Sequence, residues 1–213
     1  MKEFFKDKNL KSHPILNILE LFVLLLVLWF VMSGIFETKF IIFGVTSCVI
    51  ITLICVRVMV VGGLKTESTY FVLNVNYFKF FIYFLWLVKE IIKAAIYVSK
   101  ISLFKAKKIN PQVVWFKADY DNPVAAALLA NSITLTPGTI TVDIFDNGIF
   151  SVHALDDSLA EGVLSGDMQA RVAKVYGETI NFEKLDPASA EKKAPAKETS
   201  TKKAKTTKGK EKK

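Results

Sequence analysis

Apolar residues are concentrated in the first hundred positions of the chain, where they form two long runs. Residues 15–35 and 40–61 are almost continuously apolar, and a short link joins them. Each run is about 20 residues long, the length of a helix that crosses the ~30 Å hydrocarbon core of a bilayer. The pattern therefore predicts a transmembrane helical hairpin within an N-terminal membrane region, residues 1–109.

A third apolar segment, residues 70–104, has a different pattern. Five charged residues interrupt it, and at ~100° per residue they share an arc of roughly 100° on a helix: Lys79, Lys89, Glu90, Lys93 and Lys100. The opposite face is apolar. We predict an amphipathic helix that lies at a membrane surface or packs on a partner, with a third span as the alternative.

The positions of the lysines predict the orientation. Four lysines precede the first run, and Arg57 and Lys65 flank the end of the second, whereas the link between the runs holds one Lys and one Glu. Positively charged flanks stay in the cytoplasm, so both ends of the hairpin are predicted there. A third span would separate the lysines of residues 100–108 from the N-terminal ones, which favours two spans and a cytoplasmic C-terminal part.

Residues 110–186 carry the alternating pattern of a small soluble domain. Strands are predicted at 112–118, 139–145 and 149–155, with a helix from Pro123 and a last helix from about 165 to 182. The residues Asp-Asn-Gly at 146–148 predict a type I′ hairpin turn. The fold class is thus membrane α+β: a transmembrane hairpin, an amphipathic third helix and a cytoplasmic β-α-β-β-α domain.

The net charge of +8 does not belong to this domain. Ten lysines less three glutamates in residues 188–213 account for +7, which leaves +1 for the rest. This argues against nucleic acid as a partner. Residues 187–213 contain no large apolar side chain and are predicted to be a disordered Lys-rich tail. An alternative function is a membrane-tethered protein whose tail binds lipid or nucleic acid.

No catalytic, cofactor or metal site is predicted. Asp156 and Asp157 fit a solvated turn, and His153 fits an ordinary strand position. Cys48 and Cys55 are seven residues apart on one helix, too far for a disulfide. The sequence contains no CxxC or HExxH motif and no Gly-rich phosphate loop.

Two groups of residues remain as candidate sites. Glu20 and Arg57 lie at matching depths of the predicted hairpin, so we predict that they form an ion pair near the cytoplasmic boundary; the alternative is that Arg57 reaches lipid headgroups and Glu20 faces a partner. The second group is a string of hydroxyl residues: Ser132, Thr134, Thr136, Thr139 and Thr141. Their oxygens could ligate a cation. The simpler interpretation is that these residues belong to the end of a helix, a turn and a strand, where Ser and Thr are common.

Residues 122–142, NPVAAALLANSITLTPGTITV, resemble the E subunit of the multisubunit Na⁺/H⁺ antiporter, the Mrp or Mnh family. The segment 130–139 matches the family pattern without interruption, and the likeness extends over roughly residues 15–183. The motif positions are Asn122, Pro123, Asn131, Ser132, Thr134, Thr136, Pro137, Gly138 and Thr139. The resemblance implies a structural or subunit-interface role for them.

The resemblance also implies an accessory, assembly-supporting subunit of a cation/proton antiporter complex in a prokaryotic plasma membrane. Its partners would be the other subunits and membrane lipids. Larger subunits of such complexes carry the ion paths, so no catalytic residue is carried over. A membrane-bound hydrogenase or related redox-driven complex with an antiporter module is the alternative host.

Overall fold

The computed structural model describes residues 13–104, 109–145 and 147–187. Its elements run in the order α1 (Pro14–Ser33), α2 (Thr38–Cys55), β1 (Val60–Gly62), β2 (Thr69–Phe71), α3 (Tyr77–Phe104), β3 (Gln112–Ala118), α4 (Pro123–Leu135), β4 (Thr139–Ile144), β5 (Ile149–Ala154), α5 (Asp157–Leu164), α6 (Asp167–Tyr176) and β6 (Phe182–Leu185). The predicted tail, residues 187–213, lies outside the described residues except for Pro187.

Helices α1 and α2 are the two described helices that are long and apolar enough to cross a membrane. Most of their large side chains are exposed, so their apolar surface is not used to build a soluble core. They face each other through a stripe of small residues on α2, Gly44, Cys48 and Thr52, all buried. A Cβ atom at Gly44 would lie 2.5 Å from the indole of Trp29, so the absence of a side chain lets the helices approach closely.

The second helix is shorter than the apolar run that predicted it. It ends at Cys55, and residues 60–62 form β1, which pairs antiparallel with β2. Arg57 therefore lies in a turn beyond the helix. Phe71 of this small hairpin packs against Leu21 and Val56. The end of the apolar run is therefore buried in a separate small hydrophobic cluster and does not continue the helix.

Within residues 112–185, four strands form an antiparallel sheet in the order β4-β5-β3-β6. Helices α4, α5 and α6 pack with one face of this sheet, and Phe116 and Phe150 stack at its centre, 5.1 Å between ring centroids. Helix α3 packs on the outside of these helices through Tyr83 and Leu87. The core of the domain is therefore completed by the helix that links it to the hairpin.

The predicted order β-α-β-β-α is incomplete after β5. The helix predicted from about 165 to 182 corresponds to α6, which ends earlier, whereas α5 before it and the strand β6 after it were not predicted. Asp156 caps α5 by accepting a hydrogen bond from the amide of Leu159, 3.1 Å. Gly177, at φ 69°, ends α6, and Phe182 then reaches the core beside Phe116, 5.7 Å between centroids.

The β4–β5 hairpin exists as predicted, but its turn is not type I′. Among the described turn residues only Gly148 has a positive φ, 78°. Its amide donates to Phe145, and the amide of Phe145 donates to Ile149, both at 2.9 Å. A type I′ turn needs a positive φ at both central residues, and Asn147 lacks it.

The close contact between α1 and α2 can be tested at Gly44. A Gly44→Leu substitution should lower the midpoint of thermal unfolding of the detergent-purified chain, because the new side chain overlaps Trp29. Ser47→Leu, on an exposed face of the same helix, is the matched control and should leave the midpoint within experimental error. Equal shifts for both variants would contradict the packing.

Candidate functional site

The motif that carries the family resemblance occupies the start of α4, its end and the turn into β4. Asn122 is buried and caps α4, where its side chain accepts from the amide of Val124 at 2.9 Å. Its own amide donates to Glu178 at 3.0 Å. Pro123 follows at the first helical position, where its missing N–H costs nothing. The Asn-Pro pair thus fixes where the helix begins.

The hydroxyl residues close the other end of α4. Each donates to a backbone carbonyl of the helix or turn: Ser132 to Leu128 (2.7 Å), Thr134 to Ala130 (2.9 Å), Thr136 to Ser132 (2.9 Å), Thr139 to Ile133 (2.6 Å) and Thr141 to Ala130 (3.0 Å). The last carbonyls of a helix lack partners within it. The hydroxyls of Thr136 and Thr139 supply partners for two of them, the carbonyls of Ser132 and Ile133, and the bond from Thr141 to Ala130 joins the helix to the strand.

Gly138 permits the tight turn between α4 and β4. Its φ of 87° lies in the left-handed region, and a Cβ atom there would come within 2.5 Å of Leu159 and 3.0 Å of Val98. Its carbonyl accepts from the amide of Leu155 at 2.9 Å. Three segments, from α3, α5 and the end of β5, therefore converge on this backbone, and only glycine leaves them room.

Ser132 also connects α4 to α3. The hydroxyl of Tyr83, a buried residue of α3, donates to the Ser132 Oγ at 2.7 Å. Burial raises the pKa of Tyr83 to about 12, although the hydrogen bond to Ser132 acts in the opposite direction. The phenol is therefore neutral and able to donate over the whole physiological range.

A carboxylate outside the predicted motif fastens the β1–β2 hairpin to the domain. Asp121 accepts hydrogen bonds from the amides of Lys65 and Thr66, both 3.0 Å, from the Thr66 hydroxyl at 2.6 Å and from the hydroxyl of Tyr70. Partial burial raises the pKa of this carboxyl, but the hydrogen bonds outweigh that effect and hold the pKa well below its usual range. Sequence reasoning missed Asp121, whose only signal was its place directly before the Asn-Pro helix start.

The predicted Glu20–Arg57 pair is not decided by the fold. Glu20 on α1 accepts a hydrogen bond from the hydroxyl of Tyr77, the first residue of α3. Arg57 is exposed in the turn after α2. The ion pair therefore stays a prediction, while the contact with Tyr77 shows that α1 and the start of α3 are adjacent.

The acidic pair and the histidine have separate surroundings. Asp156 accepts from the Tyr97 hydroxyl at 2.6 Å, and Asp157 accepts from Asn110 at 3.1 Å. His153 is half-buried in β5 beside Ile140 of β4. In the part of the chain that the structure describes, no group of three or more His, Cys, Asp or Glu could hold a metal ion.

One cavity of about 390 Å³ lies between α3 and the ends of α4, α5 and α6. Its titratable side chains are already engaged with neighbours. Glu90 pairs with Lys93 at 2.8 Å, and Tyr97 donates to Asp156. The apolar part of the wall includes Trp86, over which the Arg171 guanidinium stacks at 4.5 Å. The arrangement joins α3 to the domain and offers no activated nucleophile.

Part of the motif faces outward. Asn131 and Thr134 are exposed on the outer side of α4, as is Leu135, with 61% of its surface accessible. On β4, an edge strand of the sheet, Ile140 and Val142 are also exposed, by 50% and 60%. We refer to these five residues as the α4–β4 patch. It combines apolar side chains with an edge strand of the sheet, where the amide of Thr141 donates to the Thr134 hydroxyl at 3.2 Å.

The geometry defines a class: a small α/β domain attached by a docked helix to an apolar helical hairpin. The sequence matches the MNHE family, described as Na⁺/H⁺ ion antiporter subunit, over residues 22–175. No curated protein matches the chain. A chain in the structure of the membrane-bound sulfane sulfur reductase, an archaeal respiratory membrane complex, is 26% identical. That match covers 66% of this chain and 84% of the other, with a TM-score of 0.54.

The family match covers well over half of the chain, from α1 to the end of α6, so this protein belongs to the Na⁺/H⁺ ion antiporter subunit family. The resemblance inferred from the motif is thereby confirmed. The protein is a membrane protein and a subunit of a cation/proton antiporter-type complex. The family is one of antiporter subunits and not a catalytic enzyme family.

The turn at Gly138 is the most sensitive point of the motif. Gly138→Ala should destabilise the chain by at least about 2 kcal/mol, because it adds left-handed strain and overlap with Leu159. Gly162→Ala, inside α5 with no atom within 4 Å of the added Cβ, should stabilise it by about 0.5–1 kcal/mol. Urea unfolding followed by circular dichroism measures both, and equal effects would refute the assignment.

The Asp121 contact predicts a dependence on pH. Because the folded-state pKa lies below the ordinary 3.8, its stabilising effect is complete above that value and is lost as the pH falls through the folded-state pKa. The protection factors of the Lys65 and Thr66 amides, the ratio of the intrinsic to the observed exchange rate, should therefore fall as the pH is lowered through the folded-state pKa. Asp121→Asn should lower the protection factors of both amides at neutral pH and remove their dependence on acidification.

Asp119→Asn is the matched control for that measurement. It removes the ion pair with Lys65, 3.4 Å, but none of the hydrogen bonds to the two amides. Protection in this variant should follow the wild type. A wild-type profile in the Asp121→Asn variant would contradict the role of Asp121.

Proposed function

We propose that this chain is an accessory, non-catalytic subunit of a multisubunit Na⁺/H⁺ antiporter complex in a prokaryotic plasma membrane. In this proposal α1 and α2 span the bilayer with both ends on the cytoplasmic side, and the α/β domain lies in the cytoplasm. The observation that supports it most is the family match over residues 22–175, together with two apolar helices that remain exposed.

The domain is suited to assembly and not to chemistry. The hydroxyl groups of the motif donate to backbone carbonyls, Glu90 pairs with Lys93, and Tyr97 donates to Asp156. Two helices are too few for a transporter built from repeated bundles with a site at the midplane. The ion path therefore belongs to other subunits in this proposal, and this chain contributes contacts.

The α4–β4 patch is the surface proposed to bind another subunit. Large apolar side chains that are exposed close together on a folded domain commonly mark a surface that binds another protein. Here Ile140, Val142 and Leu135 are each at least half exposed. A subunit that covers this patch would explain why Asn131, a motif residue, points outward without a role in closing the helix.

A second candidate host follows from the structural neighbour. A chain of an archaeal respiratory complex, a sulfane sulfur reductase, shares the fold at 26% identity. The same module in this chain could therefore serve a redox-driven ion-pumping complex, a hydrogenase among them. Co-purification with proteins that carry metal centres would favour this host.

The proposal is tested by tagging the chain in its native host and purifying it in mild detergent. We expect several highly hydrophobic proteins to co-purify, and deletion of the gene should reduce growth at high Na⁺. Leu135→Arg and Val142→Arg should each lower the yield of co-purified subunits without loss of the chain itself. Glu161→Arg, exposed on α5, is the matched control. A chain that purifies alone, with normal Na⁺ tolerance after deletion, would refute the proposal.

A further inference from the structure

Helix α3 has two apolar faces, and the domain covers only one of them. Tyr83, Leu87, Ala94 and Ile101 are buried at helical spacing. Six exposed large apolar residues form a stripe on another side of the helix, here called the α3 stripe: Phe81, Phe84, Leu85, Val88, Ile92 and Ile96, each exposed by 36–58%. Exposed apolar surface of this extent normally marks an interaction site.

The domain lies along nearly the whole helix, which argues against a third span. The buried positions extend from Tyr83 to Ile101, ~27 Å at 1.5 Å per residue. Along this length Tyr83 bonds to Ser132 and Tyr97 bonds to Asp156. A helix that spanned the bilayer would carry the polar surface of the domain into hydrocarbon, at several kcal/mol for each unsatisfied group.

The charges beside the stripe have one dominant sign. Lys89, Lys93 and Lys100 are exposed, and at ~100° per residue all three follow the same border of the stripe. The one acid of the helix, Glu90, pairs with Lys93 at 2.8 Å. Lysines beside an apolar stripe can bury their stems and direct their ammonium groups to phosphates.

The start of α3 is adjacent to a membrane helix. Tyr77 donates to Glu20 of α1, and Leu73, just before α3, packs on the cluster of Leu21 and Phe71. Glu20 lies within the second turn of the first apolar helix. The stripe therefore begins next to the end of the hairpin, where the membrane surface is expected.

We propose that α3 lies in the plane of the cytoplasmic leaflet, with the α3 stripe among the acyl chains and its lysines on anionic lipid headgroups. The helix is then held between the bilayer on one side and the α/β domain on the other. This inference rests on the proposed hairpin across the membrane. It assigns the stripe to lipid and leaves the α4–β4 patch to the partner subunit.

The test places one nitroxide label at a time on the full chain, in its complex and in nanodiscs that contain phosphatidylglycerol. The background is Cys48→Ala with Cys55→Ala. We expect labels at Leu85→Cys and Ile92→Cys to collide more with molecular oxygen than with a polar nickel chelate. A label at Lys174→Cys, exposed on α6, should show the reverse preference.

A label at Leu24→Cys on α1 separates the two proposals. Oxygen preference at Leu24 with nickel preference at Leu85 and Ile92 would overturn the α3 inference and leave the hairpin intact. Exclusion of both reagents at Leu85 and Ile92 would also overturn it, because a protein partner would then cover the stripe. Nickel preference at Leu24 would overturn the hairpin itself, and this inference with it.

A separate experiment tests whether the lysines of α3 contact anionic lipid headgroups. Lys89→Glu with Lys100→Glu should reduce the oxygen preference at Ile92 in discs with phosphatidylglycerol, and less so in discs of phosphatidylcholine alone. Lys174→Glu with Lys184→Glu, which makes the same charge change on exposed residues of α6 and β6, should have no effect. An unchanged preference in the double variant would overturn the assignment of anionic lipid.

Discussion

The packing of α3 against the α/β domain is the interaction on which the rest of the structure depends. The four-stranded sheet and three short helices form a small domain. Small domains bury a smaller fraction of their apolar surface on folding and are therefore only marginally stable alone. Tyr83 and Leu87 of α3 enter its core. Since α3 also follows the apolar hairpin in the chain, the contact that completes the core is the one that fixes the domain to the two apolar helices.

Two further contacts make this attachment rigid. Asp121 binds the loop of the β1–β2 hairpin, and Phe71 in that hairpin packs on Leu21 of α1. The backbone amides of Asp121 and Asn122 donate to Glu178. The start of α4, the residue after α6 and the β1–β2 hairpin are thus joined through Asp121 and Glu178.

Local pattern was sufficient to predict the long elements and insufficient for contacts distant in sequence. The apolar runs, the amphipathic α3 and the strand, helix and hairpin from Gln112 to Ala154 follow from periodicity and turn residues, because each is decided within a few positions. Strand β6 was missed because it exists only by pairing with β3, from Phe182 opposite Ala118 to Leu185 opposite Trp115. Asp121 was missed for the same reason: its partners lie more than 50 residues away.

The hydroxyl string shows why residue type alone is a poor guide to a cation site. Five hydroxyls within ten residues offer oxygens of the right kind, yet all donate to carbonyls between Leu128 and Thr136, 2.6–3.0 Å away. A hydroxyl that satisfies a helix terminus is held by the fold. Thr139 and Thr141 of β4 donate to carbonyls of α4 and so hold the edge strand against the helix. Leu135, at the end of the helix, remains exposed. The hydroxyl groups of the motif therefore stabilise the fold. Under the proposed function, the chain contributes to its complex through the surfaces that this fold exposes.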